Sequence, residues 1–459
     1  MNRQPTALTG DSDLDRIIEA ALARVDPERI IEQGVLLEGE TLTVTTEKQR
    51  LSFDLRDFRR ILLLGLGKAS ARMARALEEK LGERLAGGVV VTKKGHGEPL
   101  RRVELFEAGH PVPDEEGVRA ARRIEELLTD VGEETLCLTV VSGGGSALLV
   151  SPYRDEQREI TLQEMQETTR LLLSCGATIQ EINCLRKHLS NVKGGRLARA
   201  IAPATSLNLI LSDVVGDDPA SIASGITAPD TTTYDDALRI AGWYKILGEL
   251  PPGVREIIEL GASKGIPETP GPEDPIFERV HNVVIGSNSQ ALYAAAAAAE
   301  KLGYRTATLT ARLTGEAREA AKLFPAIARD IKEQRMLLEP PACVLAGGET
   351  TVTLGKEHGT GGRNQELLLA ALREMIGAPA AFESVSFASV GTDGNDGPTD
   401  SAGAWIDGEI VKRAASNGDE LEAALSRNDA YPYLDSLGAH IRTGPTNTNV
   451  CDVQILLVR

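Results

Sequence analysis

The sequence predicts an α/β protein of two domains. Its 459 residues exceed what a single hydrophobic core usually covers. Continuous apolar runs of strand length recur, each closed by a polar glycine turn and followed by helical periodicity, which is the β-α-β unit of a parallel sheet. Composition shifts once, at 250–275, where LPPGVREI and GIPETPGPEDPI collect many of the 22 prolines. That stretch reads as the segment between domains and predicts boundaries of 1–248 and 249–459.

Leu14, Ile17, Ile18 and Leu22 recur at helical spacing within 13–37. Ile61–Leu64 is a strand suited to burial on both faces. It enters Gly65-Leu66-Gly67-Lys68-Ala69-Ser70 and a helix through Met73, Ala74, Leu77 and Leu81, with Gly82 as its stop. The pattern repeats at Gly88–Thr92 and at Leu136–Val141, which runs into Ser142-Gly143-Gly144-Gly145-Ser146. It returns at Leu207–Leu211, closed by Ser212-Asp213. Beyond the prolines, Val283–Ile285, Arg305–Leu309, Cys343–Ala346 and Ser386–Val390 read as further strands, the last two closed by Gly347-Gly348-Glu349 and Gly391-Thr392-Asp393.

The formal net charge is −17. Such a chain repels nucleic acid and anionic membrane, and it binds an anion only through local cations and backbone N–H groups. No run approaches the roughly 18 apolar residues of a membrane span. The start, MNRQPTALTGDSDLDR, lacks the pattern of a signal peptide. Cys137, Cys343 and Cys451 lie in or beside apolar runs and read as small core residues of a protein in a reducing, cytoplasmic compartment.

Ligands of open parallel sheets bind beyond the carboxyl ends of the strands. At the first such turn Ser70 replaces the third glycine of GxGxxG, and the next strand ends in Thr92-Lys93-Lys94 without a carboxylate for a ribose. It is no Walker loop either, since Ala69 holds the Ser/Thr position and a leucine stands for the first glycine. Lys68 reads as an ammonium at a helix N-terminus, where backbone N–H groups favour an anion, or as a solvated lysine on a tight turn. Three consecutive glycines at 143–145 carry an entropic cost and imply close approach of the main chain to something, such as an anion in a nest; a purely structural turn is the alternative.

Asn183–Arg196 is a basic island. Arg186 and Lys193 are seven positions apart, on one face if the helix persists, and Lys193-Gly194-Gly195 reads as a phosphate-facing loop. His188 reads as a capped or core histidine. Asp213, Glu349, Asp393 and Asp396 close strands or follow them, as suits Mg²⁺ with its one or two carboxylates, or as suits Asx turns. Arg363, with Asn364, opens a helix where the dipole prefers an anion; a guanidinium placed to meet a phosphoryl group explains it better.

The strings GLGKAS, SGGGSALL, NCLRKHLSNVKGGRLA, LSDVVGDDPASIASG, GGETTVTLGKEHGTGGRNQE and GTDGNDGPTDSAGA, in this order from about residue 14 to the C-terminus, resemble the class II glycerate 2-kinases, the family with a C-terminal MOFRL domain. The resemblance implies an N-terminal Rossmann-like parallel α/β/α sandwich, a second α/β domain of MOFRL type and an active site in the cleft between them. It implies ATP, Mg²⁺ or another divalent cation, D-glycerate as substrate and 2-phosphoglycerate as product, and it assigns the family's catalytic lysine and arginine to Lys68 and Arg363. Some relatives carry the name hydroxypyruvate reductase.

Direct phosphoryl transfer relies on positioning and charge neutralisation. The expected parts are Gly67, Ser142, Gly143, Gly144, Gly145, Ser146, Lys193 and Asn364 around phosphate or substrate, and Arg186 on the substrate carboxylate. Lys68 and Arg363 would meet the moving phosphoryl group, Asp393 with Glu349 the metal, and Asp213 the 2-hydroxyl. D-glycerate and ATP are the expected partners, with a homodimer as assembly and neither nucleic acid nor membrane. The rival readings are an NAD(P)H-dependent hydroxypyruvate reductase and a non-catalytic small-anion-binding α/β protein.

Overall fold

The computed structural model describes residues 7–459. The chain forms two compact units, one spanning Pro27–Ile285 and the other Gly286–Arg459 together with the N-terminal segment through Asp26.

The first unit begins with helix Pro27–Gly34, followed by a small antiparallel meander, β1 (Val35–Glu38), β2 (Thr41–Thr45) and β3 (Arg50–Asp54). Its main sheet contains β4 (Arg60–Leu66), β5 (Leu85–Lys93), β6 (Val103–Ala108), β7 (Thr135–Val141), β8 (Thr205–Leu211) and β9 (Val280–Gly286), in the spatial order β6-β5-β4-β7-β8-β9. Strands β4 to β8 pair in parallel. The apolar runs are continuous because both faces are covered. Leu62, Leu64 and Leu66 of β4 share a core with Ala120, Ala121 and Ile124 of helix Glu115–Leu128.

Strand order runs outward from β4 to β5 and β6, then reverses to β7 and β8 on the other side of β4. A crevice opens where connections leave neighbouring parallel strands in opposite directions, and this is where open α/β sheets bind ligands. Here the two flanking turns are Gly67-Lys68 and Ser142–Gly145.

The expected boundary between residues 248 and 249 falls inside this unit. The proline-rich stretch is no linker. Leu250, Val254, Ile257, Ile258 and Ile266 are buried with Ile182, Leu185 and Tyr234 in a helical core. Pro252 begins helix Pro252–Ala262, where a missing N–H costs nothing.

The second unit is a mixed sheet of β10 (Arg305–Leu313), β11 (Ala342–Gly348), β12 (Val385–Gly391), β13 (Gly403–Asp407), β14 (His440–Ile441) and β15 (Asp452–Val458), in the order β10-β11-β15-β12-β13-β14. Only β10 and β11 run parallel among these pairs. The C-terminal β15 sits between β11 and β12, with Val344 opposite Leu456 and Ala388 opposite Ile455. The N-terminal helix Ser12–Arg24 packs against helix Asn288–Lys301 of this unit. Asp11 is held by Arg459 at 2.6 Å and by the Ser386 hydroxyl at 2.6 Å.

Burial pushes the thiols of Cys137 and Cys343 up to about 12, as suits inert core residues. Among the described residues no helix is long and apolar enough to cross a membrane.

Candidate active site

The turns after β4 and β7 are locked to each other. Ser142 N–H donates to Leu66 O, Lys68 N–H to Gly143 O at 2.9 Å, and Ala69 N–H to the Ser142 hydroxyl at 3.0 Å. Gly67, at φ 119°, is required by this contact: a β-carbon there would lie 2.3 Å from Ser142 Oγ. Gly67 N–H donates to Val91 O and Ser70 N–H to Gly67 O. The N–H groups expected to cradle an anion at the first turn therefore have acceptors inside the protein. What this turn presents is the Lys68 side chain, whose ammonium has no ion-pair partner among the described residues.

The triglycine turn answers to its own neighbours. A β-carbon at Gly143 would meet Asp213 Oδ2 at 2.3 Å, and one at Gly145 would meet Leu66 Cδ1 at 3.0 Å. Gly144 has φ 80°, and its missing β-carbon leaves room for the His110 ring and Lys68 Cε. Among the described residues, no backbone acceptor takes the N–H groups of Gly143 and Gly144.

A pocket of about 330 Å³ opens beside this turn, and Gly144, Ser146, Asn183, Arg186, Asp213 and Ser224 are among its walls. Ser146 Oγ and Ser224 Oγ lie 2.8 Å apart, and Ser224 donates to Asn183 Oδ1 at 3.1 Å. Ala223 and Ser224 hold φ 49° and 59°, a left-handed conformation that L-residues keep only when the surroundings enforce it. The half-buried Arg186 guanidinium has no carboxylate partner among the described residues, and burial alone draws its pKa down. An uncompensated cation in a partly dry pocket of an acidic chain favours an anionic ligand.

Lys193 stands elsewhere than expected. Helix Ile179–His188 stops before it, so Arg186 and Lys193 do not share a helical face. The Lys193 side chain is buried and its ammonium donates to Ser146 O at 2.7 Å and Leu149 O at 3.1 Å. Burial first, and the charge of Arg186 second, pull its pKa down to about 7. Lys193 supports the triglycine turn from beneath and does not line the pocket. The glycines after it pair with the strained segment, Gly194 N–H with Ser224 O and Gly195 N–H with Gly225 O. His188 is a core histidine, its Nδ1 2.8 Å from Cys184 O.

In the second unit, Arg363 begins helix Arg363–Ile376. Its guanidinium forms a fork with Asp452, Nε to Oδ2 at 2.6 Å and Nη2 to Oδ1 at 3.0 Å, while Nη1 meets Glu349 at 2.6 Å. Burial opposes the charge of Arg363, but these carboxylates outweigh it and raise its pKa. Burial pushes the Asp452 carboxyl up to about 6 against the pull of Arg363. Asn364 is buried inside a closed network: its N–H and Nδ2 donate to Asp396 and its Oδ1 accepts from Ser389. It stabilises the start of the helix, in place of the ligand contact expected of it.

Residues 13–259 match a domain of unknown function, DUF4147, and residues 342–452 match the MOFRL family. A glycerate 2-kinase of Pyrococcus horikoshii is 39% identical over 443 residues, covering 96% of each chain. A D-glycerate 2-kinase of Thermotoga maritima is 41% identical over 400 residues, covering 87% of this chain and 91% of that one. The chain belongs to the glycerate kinase family. The crystal structure of glycerate kinase from Thermotoga maritima matches with a TM-score of 0.82 at 38% identity, over 96% of this chain and 98% of that one.

For a glycerate kinase the carboxylates matter as much as the cations. Glu349 is held by Arg363, and Asp393 Oδ1 accepts from Asn395 N–H in an Asx turn. Among the described residues no three His, Cys, Asp or Glu side chains converge as metal ligands. Glu349 and Asp393, the side chains expected at Mg²⁺, therefore belong to no cage of three or more such ligands among the described residues. His110, a pocket residue absent from the sequence expectations, packs against Gly144 and carries no motif that would have marked it.

Proposed function

We propose that the protein is an ATP-dependent glycerate 2-kinase that converts D-glycerate to 2-phosphoglycerate. The observation that carries this reading is the pocket itself, which sets the Arg186 guanidinium, without a carboxylate partner among the described residues, and the Asp213 carboxylate around one cavity beside Gly144. D-glycerate asks for such a pair: a cation for its carboxylate, and a base or acceptor for the hydroxyl that attacks the phosphoryl donor. Lys68 then stabilises charge on the transferring group. Gly143 and Gly144 N–H groups hold oxygens in reach of it, and Lys193 keeps that turn in place. Arg363 is the second cation proposed to meet the transferring phosphoryl group. The names of the relatives support both the substrate and the position phosphorylated.

The reductase alternative loses support at the first glycine turn, because the N–H groups that would cradle a dinucleotide pyrophosphate donate to Val91 O, Gly143 O and Ser142 Oγ. One assay separates the readings. Purified protein is supplied with D-glycerate, ATP and Mg²⁺ and read through enolase, beside NADH oxidation with hydroxypyruvate. Enolase consumes 2-phosphoglycerate directly, so an immediate enolase signal is expected. ADP release without that signal would defeat the 2-kinase assignment, and NADH oxidation would favour the reductase.

A further inference from the structure

His110 is a polar side chain of the pocket to which the proposed phosphoryl transfer gives no task. His110 lines it, and its ring packs over Gly144 so closely that a β-carbon there would lie 2.9 Å from both Cδ2 and Nε2. Neither ring nitrogen has a hydrogen-bond partner among the described residues, whereas His188 and His440 each have one. An imidazole at the edge of a cavity with its polar atoms unengaged is available to a ligand.

Its charge state narrows the kind of ligand group. Burial, then the charges of Lys68, Lys93 and His96, hold His110 neutral. A neutral imidazole offers one donor and one acceptor and no net charge. The anionic groups of the reactants already have Arg186 and Lys68. A neutral ring that both donates and accepts is matched to an uncharged hydroxyl.

Two hydroxyls on neighbouring carbons distinguish glycerate from simpler 2-hydroxy acids. Asp213 packs on Gly143 and His110 on Gly144. These are consecutive residues of one turn, and Asp213 and His110 both line the pocket beside it, so a ligand there meets the two side chains together. Resting on the kinase reading, we propose that His110 hydrogen-bonds the 3-hydroxyl of D-glycerate, which fixes the 2-hydroxyl on Asp213 and makes His110 a determinant of substrate and of the position phosphorylated. A pocket built to bond a hydroxyl discriminates against an analogue lacking it, because the polar side chain is left without a partner.

The test crosses a protein change with a ligand change. Binding of D-glycerate and of its 3-deoxy analogue D-lactate is measured by calorimetry with wild type, His110→Ala and His110→Asn, in the presence of Mg²⁺ and a non-hydrolysable ATP analogue. Wild type should bind D-glycerate roughly tenfold more tightly than D-lactate, the size of one hydrogen bond. His110→Ala should abolish that preference by weakening D-glycerate alone, and His110→Asn, which still bonds a hydroxyl, should restore part of it. Circular dichroism and melting of each variant establish that it folds. Retention of the full preference in His110→Ala would overturn the assignment while leaving the kinase reading intact. Failure of the wild type to bind D-glycerate at all would overturn both.

Discussion

The Asp213 carboxylate fills the space that a side chain at Gly143 would need: a β-carbon there would lie 2.3 Å from Oδ2 and 2.9 Å from Cγ. The glycine and the acid therefore form one unit. Gly143→Ala must move the carboxylate or the turn, whose Gly143 and Gly144 N–H groups have no backbone acceptor among the described residues. A displacement on the order of 1 Å at a reacting group lowers the rate by about 100-fold. Gly143→Ala should show that loss in turnover while retaining its secondary structure by circular dichroism. Turnover close to wild type would mean that Asp213 can shift freely and does not position the reacting hydroxyl.

Two lysines of the first unit should respond in opposite ways to removal. Lys68 has no ion-pair partner among the described residues, so Lys68→Ala should change stability by no more than about 0.5 kcal/mol. Turnover should fall by roughly 1,000-fold, the lower end for loss of a group that stabilises the transferring phosphoryl. Lys193→Met replaces a buried ammonium and leaves the carbonyls of Ser146 and Leu149 without their donor. It should destabilise the protein by about 1–3 kcal/mol per carbonyl left buried and unsatisfied. Urea unfolding set beside steady-state kinetics reads both effects, and a stable, inactive Lys193→Met would return that lysine to the list of ligand contacts.

Arg363 has a structural duty that a kinetic assay alone would hide. Asp452 is buried and its two oxygens are both held by this guanidinium. Arg363→Ala leaves that carboxylate without its cation, at a cost of about 3 kcal/mol. Arg363→Lys keeps a charge but cannot reproduce the fork to Asp452 together with the bond to Glu349. Melting temperature should fall in both variants, more in the alanine. Arg363→Lys decides between roles. Were its turnover to fall only as far as its folded fraction at the assay temperature, Arg363 would be an organiser of its own unit and not a catalyst.

Much of this architecture could be read from local pattern. Ile61–Leu64 followed by Gly-Leu-Gly-Lys, and Leu136–Val141 followed by the triglycine, announce buried parallel strands and the turns that close them. Asp213 at the end of a strand was legible for the same reason. What escaped depended on partners far away in sequence. The role of Arg363 turns on Asp452, 89 residues distant, and the strand that carries Asp452 ends the chain yet lies inside the sheet between β11 and β12. The prolines of 250–275 suggested a linker, because burial of Val254 and Ile257 depends on helices from elsewhere in the chain. Lys193 looked like a phosphate ligand since sequence shows charge and spacing but not depth. His110 gave no signal at all, as a lone histidine before a proline acquires meaning only from Gly144 and Lys68 in space.

The environment of His110 makes a prediction about acid. Its pKa is lowered from 6.5 to about 4, first by burial and then by Lys68, Lys93 and His96. An unfolded chain would take up a proton at this residue near its ordinary value, while the folded protein does not until about pH 4. The unfolded state thus binds more protons between these values, and this group's contribution to stability falls as pH drops through the window. Removing the imidazole removes the linkage, so the stability of His110→Asn should decline less than wild type over the same range in urea titrations. The cause can be tested separately. Lys68→Ala takes away the largest neighbouring charge and should move the His110 midpoint upward, as read from its ring protons by NMR. A midpoint near 6.5 in the wild type would show that the ring is neither dry nor crowded by cations, and the neutral hydrogen-bonding group inferred for the pocket would be lost with it.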